Sequence, residues 1–362
     1  MQTEINYSQL SLKLNSVKGS VFVVSGKSFS KTGFLDNLQI NNHVDLKKFT
    51  EFSENPTLEE VIAGLKAYKK SNASLILAVG GGTAMDLAKL IKCYANISLT
   101  GEELTPPDVT TGNENIDLIT VPTTFGTGSE STHFAVMYIN GNKFSVAHQN
   151  MLPDFFLLDS NLSNSLPIKV KTSSCLDALC QAIESFWSVS GSNESRLNAL
   201  EAIRLIRIHF VDYITRKERT SNKAIAHAAN LAGKAINTSK TTAPHAISYT
   251  LTSKFNVPHG HAVALCIRNM FELNNRRAKP GSTLQQRMLT IFSALQVKDS
   301  IAAKNLINTF METGGLETSL IKLGLVDDKT INLVVNSVNI ERLSNHPIPL
   351  SKLDIKSVLT HE

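Results

Sequence analysis

Up to about residue 160 the chain alternates short apolar runs with amphipathic ones; beyond that point long helical patterns follow one another. That switch constrains the fold more than any single residue. VFVVSG (21–26), LILAVGGG (75–82) and IDLITVPTT are apolar runs of strand length, each leading into small or polar turn residues. Between them PTLEEVIAGLKAYKKSN has helical spacing, with Pro56 near its start and an acidic first turn, and TAMDLAKLIKCYA leaves the glycine turn as a helix. Strand–helix–strand alternation implies a parallel sheet, whose ligands bind beyond the carboxyl ends of the strands. Helical patterns then cover 170–188, 194–216, 222–236, 282–297 and 300–323, with a short one near the end. NLSNSLP, with Pro167, marks the change. The expected architecture is an α/β dinucleotide-binding domain with a parallel sheet (1–160) and an all-α metal and substrate domain (161–362). The active site is expected in the cleft they form.

A length of 362 residues favours two domains over one core. With 42% hydrophobic and 19% charged residues the chain reads as a soluble globular protein. Its net charge of +5 is modest and no basic run occurs, so nucleic acid binding is not expected. The start, MQTEINYSQLSLKLNS, has no secretory pattern, and no stretch approaches the roughly 20 apolar residues that span a bilayer. Cys93, Cys175, Cys180 and Cys266 form no CxxC pair and lie in apolar patterns, which suits buried thiols in the cytoplasm.

His245 and His259 lie fourteen positions apart in HAISYTLTSKFNVPHGHAVAL, the first in a helical pattern and the second in a Pro-His-Gly turn. Upstream, SSCLDALCQAIESFW places Asp177 and Gln181 at i and i+4, on one helix face. Carboxylate oxygen and imidazole nitrogen suit iron(II) or zinc. In Gly80-Gly81-Gly82-Thr83 a strand turns into a helix whose first N–H groups suit a pyrophosphate, although a structural tight turn would look the same. Asp86 follows one turn into that helix. VPTTFGTGSEST, with Thr123, Thr124 and Thr127, offers hydroxyls and glycines to a nucleotide. At the end of the first strand, Ser25-Gly26-Lys27-Ser28 lacks the acid that would bind a ribose 2′-hydroxyl and repel a 2′-phosphate. NADPH is therefore expected over NADH.

Together these motifs resemble the iron-containing, group III alcohol dehydrogenases. GGGTAMDLAK is similar to that family's GGGSxxDxAK, and PTTFGTGSEST to its PTTxGTGSExT. LPDFFLLDSNLSNSLP with LDALCQAIESFWS resembles its second-domain opening, and HAISYTLTSKFNVPHGHAVAL its metal-binding run. The resemblance implies a metal held by Asp177, His245 and His259, with Gln181 where the family has a fourth ligand, a histidine. It implies hydride transfer from a nicotinamide to an aldehyde whose oxygen a metal polarises, and Lys143 near the nicotinamide ribose. Tyr249, one turn after His245, becomes either a candidate proton relay or a packed tyrosine with a satisfied hydroxyl; His261 either orients ligands or only starts a helix. Within the family, LDALCQAIESFWSVSGSNESR, AGKAINTSKTTAPHAISY and NIERLSNHPIPLS are similar to a subgroup that reduces phosphonoacetaldehyde to 2-hydroxyethylphosphonate.

Ser239-Lys240-Thr241-Thr242, just before His245, suit the charged head of a phosphonate or sulfonate, with Lys234 earlier in the segment. Lys240 paired with a carboxylate and Lys234 in solvent is the competing reading. The expected function is reduction of a small anionic aldehyde by a homodimer. Sulfoacetaldehyde, succinic semialdehyde and lactaldehyde are alternative substrates. A cyclase resembling dehydroquinate synthase, or a binding protein that has lost its metal, are alternative classes.

Overall fold

The computed structural model describes residues 2–27, 29–109, 116–216, 218–338 and 343–360. Two compact units emerge: Met1–Thr124 with Gly128–Ser165, and Leu166–Glu362 with the short insert Phe125–Thr127.

The first unit is an α/β domain. Strands β1 (Thr3–Glu4), β2 (Ser20–Ser25), β3 (Asp45–Phe49), β4 (Ala73–Gly80), β5 (Asp117–Pro122) and β8 (Phe155–Phe156) form one sheet in the order β1-β8-β5-β4-β2-β3, with every ladder parallel. Both faces are covered, which is why these strands read as continuous apolar runs. Phe22, Val24, Ile76, Ala78 and Leu118 point into one core, while Val21, Val23, Leu75, Leu77, Val79, Ile119 and Val121 point into the other. Helix α1 (Tyr7–Ser16) starts with a capping box between Asn6 and Gln9. Thr57 and Glu60 form the same device for α2 (Leu58–Ser71), which ends at Asn72 in the left-handed conformation, φ 51°. Helix α3 (Gly82–Tyr94) leaves the glycine turn as the sequence suggests.

A separate antiparallel hairpin joins β6 (Phe134–Ile139) to β7 (Asn142–Ala147). Asn140 and Gly141 both have positive φ, 50° and 77°, the requirement of a tight type I′ turn.

The second unit is helical. It comprises α4 (Ile168–Trp187), α5 (Asn193–Thr215), α6 (Arg219–Ser239), α7 (Ala243–Phe255), α8 (His259–Arg277), α9 (Thr283–Ala294), α10 (Ser300–Thr313), α11 (Asp328–Ser337) and a final helix, Lys352–Thr360. Its core includes Leu176, Leu179 and Ile183 of α4 and Ile203, Ile206 and Phe210 of α5, and Phe125 of the insert is buried in it. Phe210 stacks on Phe310 with ring centres 4.0 Å apart.

Two boundaries differ from the sequence expectation. The pattern over 300–323 is helical only to Thr313, because Gly314 and Gly315 (φ 70°) end α10. His259 is not in a turn: Asn256 (φ 57°) closes α7, and α8 begins at His259 with Pro258 as its N-cap. Among the described residues no helix is long and apolar enough to cross a membrane.

Candidate metal centre

Helix α4 is the backbone of the site. Asp177, Gln181 and Glu184 recur at i, i+4 and i+7 and share one face. Helix α8 reaches that face because residue 260 is glycine. A Cβ there would lie 1.9 Å from the Ser173 carbonyl oxygen and 2.9 Å from Asp177 Cβ. The close approach delivers His259 from the first turn of α8, and Pro244 at the start of α7 leads directly into His245. His245 Nε2 lies 3.3 Å from Asp177 Oδ1 and His259 Nε2 lies 3.9 Å from it. One ligand atom from each of the three falls within 4.8 Å of the others, the spacing a single ion requires.

Glu184 was not foreseen. Fully buried, it accepts hydrogen bonds from the Thr242 N–H (2.7 Å) and hydroxyl (2.8 Å) and a very short one from His245 Nδ1. Trp187 Nε1 donates to the same Thr242 hydroxyl at 2.9 Å. With Nδ1–H committed to Glu184, His245 turns Nε2 toward the Asp177 carboxylate, so that two acceptors face each other. Such a pair calls for a positive charge, either a proton or a divalent ion. Burial lowers the His245 pKa, but the Glu184 and Asp177 carboxylates outweigh it and push the ring up to about 9. Gln181, one turn from Asp177, carries a buried Oε1 with no hydrogen-bond partner among the described residues. A carboxylate, two imidazoles and an orphaned amide oxygen fit a divalent metal of the iron or zinc type. A histidine whose far nitrogen is held by a carboxylate is a recurrent metal-ligand arrangement. Glu184→Ala is accordingly expected to weaken zinc or iron(II) binding by about 10–100-fold, measured by titration of metal-free protein whose circular dichroism matches the parent.

Around this centre the expectations divide. Tyr249 is half-buried, and its ring stacks on His259 at 5.9 Å and 10°. The Nε2 of His261 bonds the Glu317 carbonyl (2.7 Å), its backbone N–H donates to Ser173 Oγ of α4, and burial lowers its pKa. Of the four residues before α7, Ser239 and Thr242 are buried. Ser239 Oγ donates to Ser185 Oγ (2.7 Å), and Thr242 is spent on Glu184. Their hydroxyls therefore hold the fold. Lys240 is exposed and forms no ion pair among the described residues, while Lys234 is exposed on α6.

The nucleotide motifs of the α/β unit meet through two side chains. Ser129 Oγ donates to Asp86 Oδ1 (2.6 Å), and the Val136 N–H donates to Asp86 Oδ2 (3.0 Å). Lys89, wholly buried, donates to Ser129 Oγ, Thr132 Oγ1 and the Phe134 carbonyl; burial pulls its pKa down to about 8 against the opposing carboxylates of Asp86 and Glu130. Asp86 and Lys89 thus pin the GTGSEST loop to α3. Gly81 is the N-cap of α3 without a side-chain cap; a Cβ there would meet Thr124 Oγ1 at 3.0 Å. Gly82 and Thr83 form its first turn, and Thr123 N–H bonds the Gly80 carbonyl. An uncapped helix start lined by glycine suits a phosphate. Gly26 has open space around a prospective Cβ, Lys27 is exposed, and Ser28 lies outside the described residues. Lys143 lies on β7 opposite Tyr138, and Thr127 lies in the insert that clusters with the helical unit.

Comparison with known proteins gives a consistent result. Residues 4–160 match the family model of iron-containing alcohol dehydrogenase, and residues 171–362 match that of the Fe-containing alcohol dehydrogenase family, C-terminal. The long-chain-alcohol dehydrogenase 1 of Geobacillus thermodenitrificans is 26% identical over 359 residues, covering 93% of this chain and 88% of that one. The sulfoacetaldehyde reductase of Bilophila wadsworthia is 29% identical over 266 residues, covering 70% and 67%. In fold, the chain is similar to the crystal structure of sulfoacetaldehyde reductase from Bifidobacterium kashiwanohense in complex with NAD+. That match has a TM-score of 0.87 at 24% identity and covers 99% and 96% of the two chains.

Proposed function

Since the chain belongs to the iron-containing alcohol dehydrogenase family, we propose that this oxidoreductase reduces a small anionic aldehyde with NADPH, phosphonoacetaldehyde to 2-hydroxyethylphosphonate being the first choice. The proposal extends to a homodimer and to a cytoplasmic location, the latter consistent with four free, buried cysteines. Asp177, His245 and His259 would hold iron(II) or zinc, with Gln181 Oε1 as a fourth donor. The metal supplies Lewis-acid polarisation of the carbonyl, and the nicotinamide supplies the hydride. Glu184 fixes the His245 tautomer so that Nε2 is the free donor. Gly81, Gly82 and Thr83 would take the pyrophosphate on the α3 amides, with Thr123, Thr124, Thr127 and Lys143 as further nucleotide contacts and Asp86 acting through the loop it pins. Tyr249, stacked on His259, is our candidate for passing the proton that completes the alcohol.

The observation that carries the anionic substrate is Lys240, an exposed ammonium with no ion pair among the described residues, just before the helix that bears His245. A hydrogen bond to a charged group contributes roughly 1.5–3 kcal/mol, so Lys240→Ala should lower kcat/KM for phosphonoacetaldehyde about ten- to hundredfold. A neutral aldehyde of similar size should be little affected; equal losses on both would refute the contact. Sulfoacetaldehyde is the second reading, favoured by the name of the Bilophila relative. An NADPH-oxidation screen of phosphonoacetaldehyde, sulfoacetaldehyde, succinic semialdehyde and lactaldehyde with added iron(II) or zinc decides between them. Cofactor choice is tested at Gly26, where a side chain meets nothing within 4 Å. Gly26→Asp should move preference toward NADH about tenfold or more, through repulsion of the 2′-phosphate. A native enzyme that already prefers NADH tenfold would overturn this part.

A further inference from the structure

Lys240 has φ 57° and ψ 176°, a backbone region that is essentially reserved for glycine. A helix normally closes with a left-handed glycine or asparagine, yet this chain keeps a lysine there in a more strained conformation. The surrounding bonds explain how. Lys240 N–H reaches the Ile236 carbonyl (3.0 Å), and the carbonyls on either side of Lys240, those of Ser239 and Thr241, both accept from Asn345 Nδ2 at 2.8 and 2.9 Å. Asn345 is itself anchored: its Oδ1 accepts from Ser190 N–H (3.0 Å) and its carbonyl from Val189 N–H (3.1 Å). Beside it, His346 bonds Asn274 (2.9 Å) and packs in a T-shaped contact with Trp187, the residue that bonds Thr242.

We infer that Asn345 is a positioning residue that imposes the glycine-like backbone of Lys240 and so aims its ammonium at the anionic head of the substrate. The inference rests on the reading of Lys240 as the anion contact. Glycine at 240 would remove the strain but also the charge, which accounts for a lysine being kept in so unfavourable a conformation.

The test has two arms on the full-length protein. In the first, Lys240→Gly and Lys240→Ala are compared by thermal unfolding with Asn345 present and in an Asn345→Asp background. That substitution keeps the bond from Ser190 but turns a carboxylate toward two carbonyls. Lys240→Gly should melt about 2–4 °C above Lys240→Ala with Asn345 present. The gap should vanish or reverse in the Asn345→Asp background, where the clamp is released, since glycine then only adds freedom to the unfolded chain. Asn345→Ala takes the place of Asn345→Asp if the charge prevents folding. In the second arm, the Asn345 variant should lose about tenfold of its preference for phosphonoacetaldehyde over a neutral aldehyde, through KM for the anion with the neutral substrate's kcat unchanged. A glycine–alanine gap that ignores Asn345 overturns the clamp. A collapsed gap with unchanged preference, where Lys240→Ala does shift preference, overturns the positioning role. If Lys240→Ala itself leaves preference unchanged, the anion reading fails and takes the positioning role with it, and the unfolding arm still separates that result from failure of the clamp.

Discussion

Replacing either His245 or His259 by alanine is expected to leave a folded protein that retains no stoichiometric iron or zinc and reduces aldehydes about a thousandfold more slowly. Lewis-acid polarisation is worth several kcal/mol of transition-state stabilisation, and about 4 kcal/mol corresponds to that factor in rate. Of the three ligand atoms within 4.8 Å, loss of either histidine leaves one carboxylate and one imidazole, with only the weaker Gln181 amide oxygen beside them. The two losses should differ in kind. His245→Ala also strands the buried Glu184 carboxylate, which has that ring as one of its three partners, so it should destabilise the unit as well. His259 is only half-buried and its removal should spare stability. Metal analysis of anaerobically purified variants, with their unfolding midpoints, reads both effects; undiminished metal in His259→Ala would sink the ligand assignment. Gln181→His should keep or tighten binding, because it supplies imidazole at the same helical position.

A single methyl group should be nearly as damaging at Gly260. The added Cβ would sit 1.9 Å from a backbone oxygen of α4, and backbone cannot swing aside as a flexible side chain can. Gly260→Ala should therefore push α8 away from α4, costing about 3 kcal/mol or more of stability and separating His259 from Asp177. The expected signature is a lowered unfolding midpoint together with weakened metal binding. A variant with parental stability and full metal content would show that the helices tolerate the extra atom.

The sequence made the parallel sheet legible because strands buried on both faces leave uninterrupted apolar runs, as in LILAVGGG. It made Asp177 and Gln181 legible through their helical spacing. Glu184 carries the same signal at i+7 and went unread because a glutamate near a helix end looks like a solvated one; only burial distinguishes it. The helical pattern over 300–323 runs beyond the helix itself because apolar spacing continues past Gly314, whose packing against Thr172 is a tertiary fact. The Asn140-Gly141 hairpin does carry a local turn signal, an Asn-Gly pair at positive φ. The link from Asn345 to Lys240 spans more than a hundred residues, and no local pattern encodes it.

Sixteen of the 20 residues of α4 are buried, and the helix is met closely by Gly126, Gly260 and Gly314 along its first turns. A scaffold immobilised in this way has already lost its conformational entropy when the chain folds, so capturing an ion need order only a few side chains. Affinity and metal preference are then set by which groups the helix displays rather than by how well it folds. On the proposed ligand set, exchange of the donor at Gln181 is expected to retune the ion while the architecture around it stays the same.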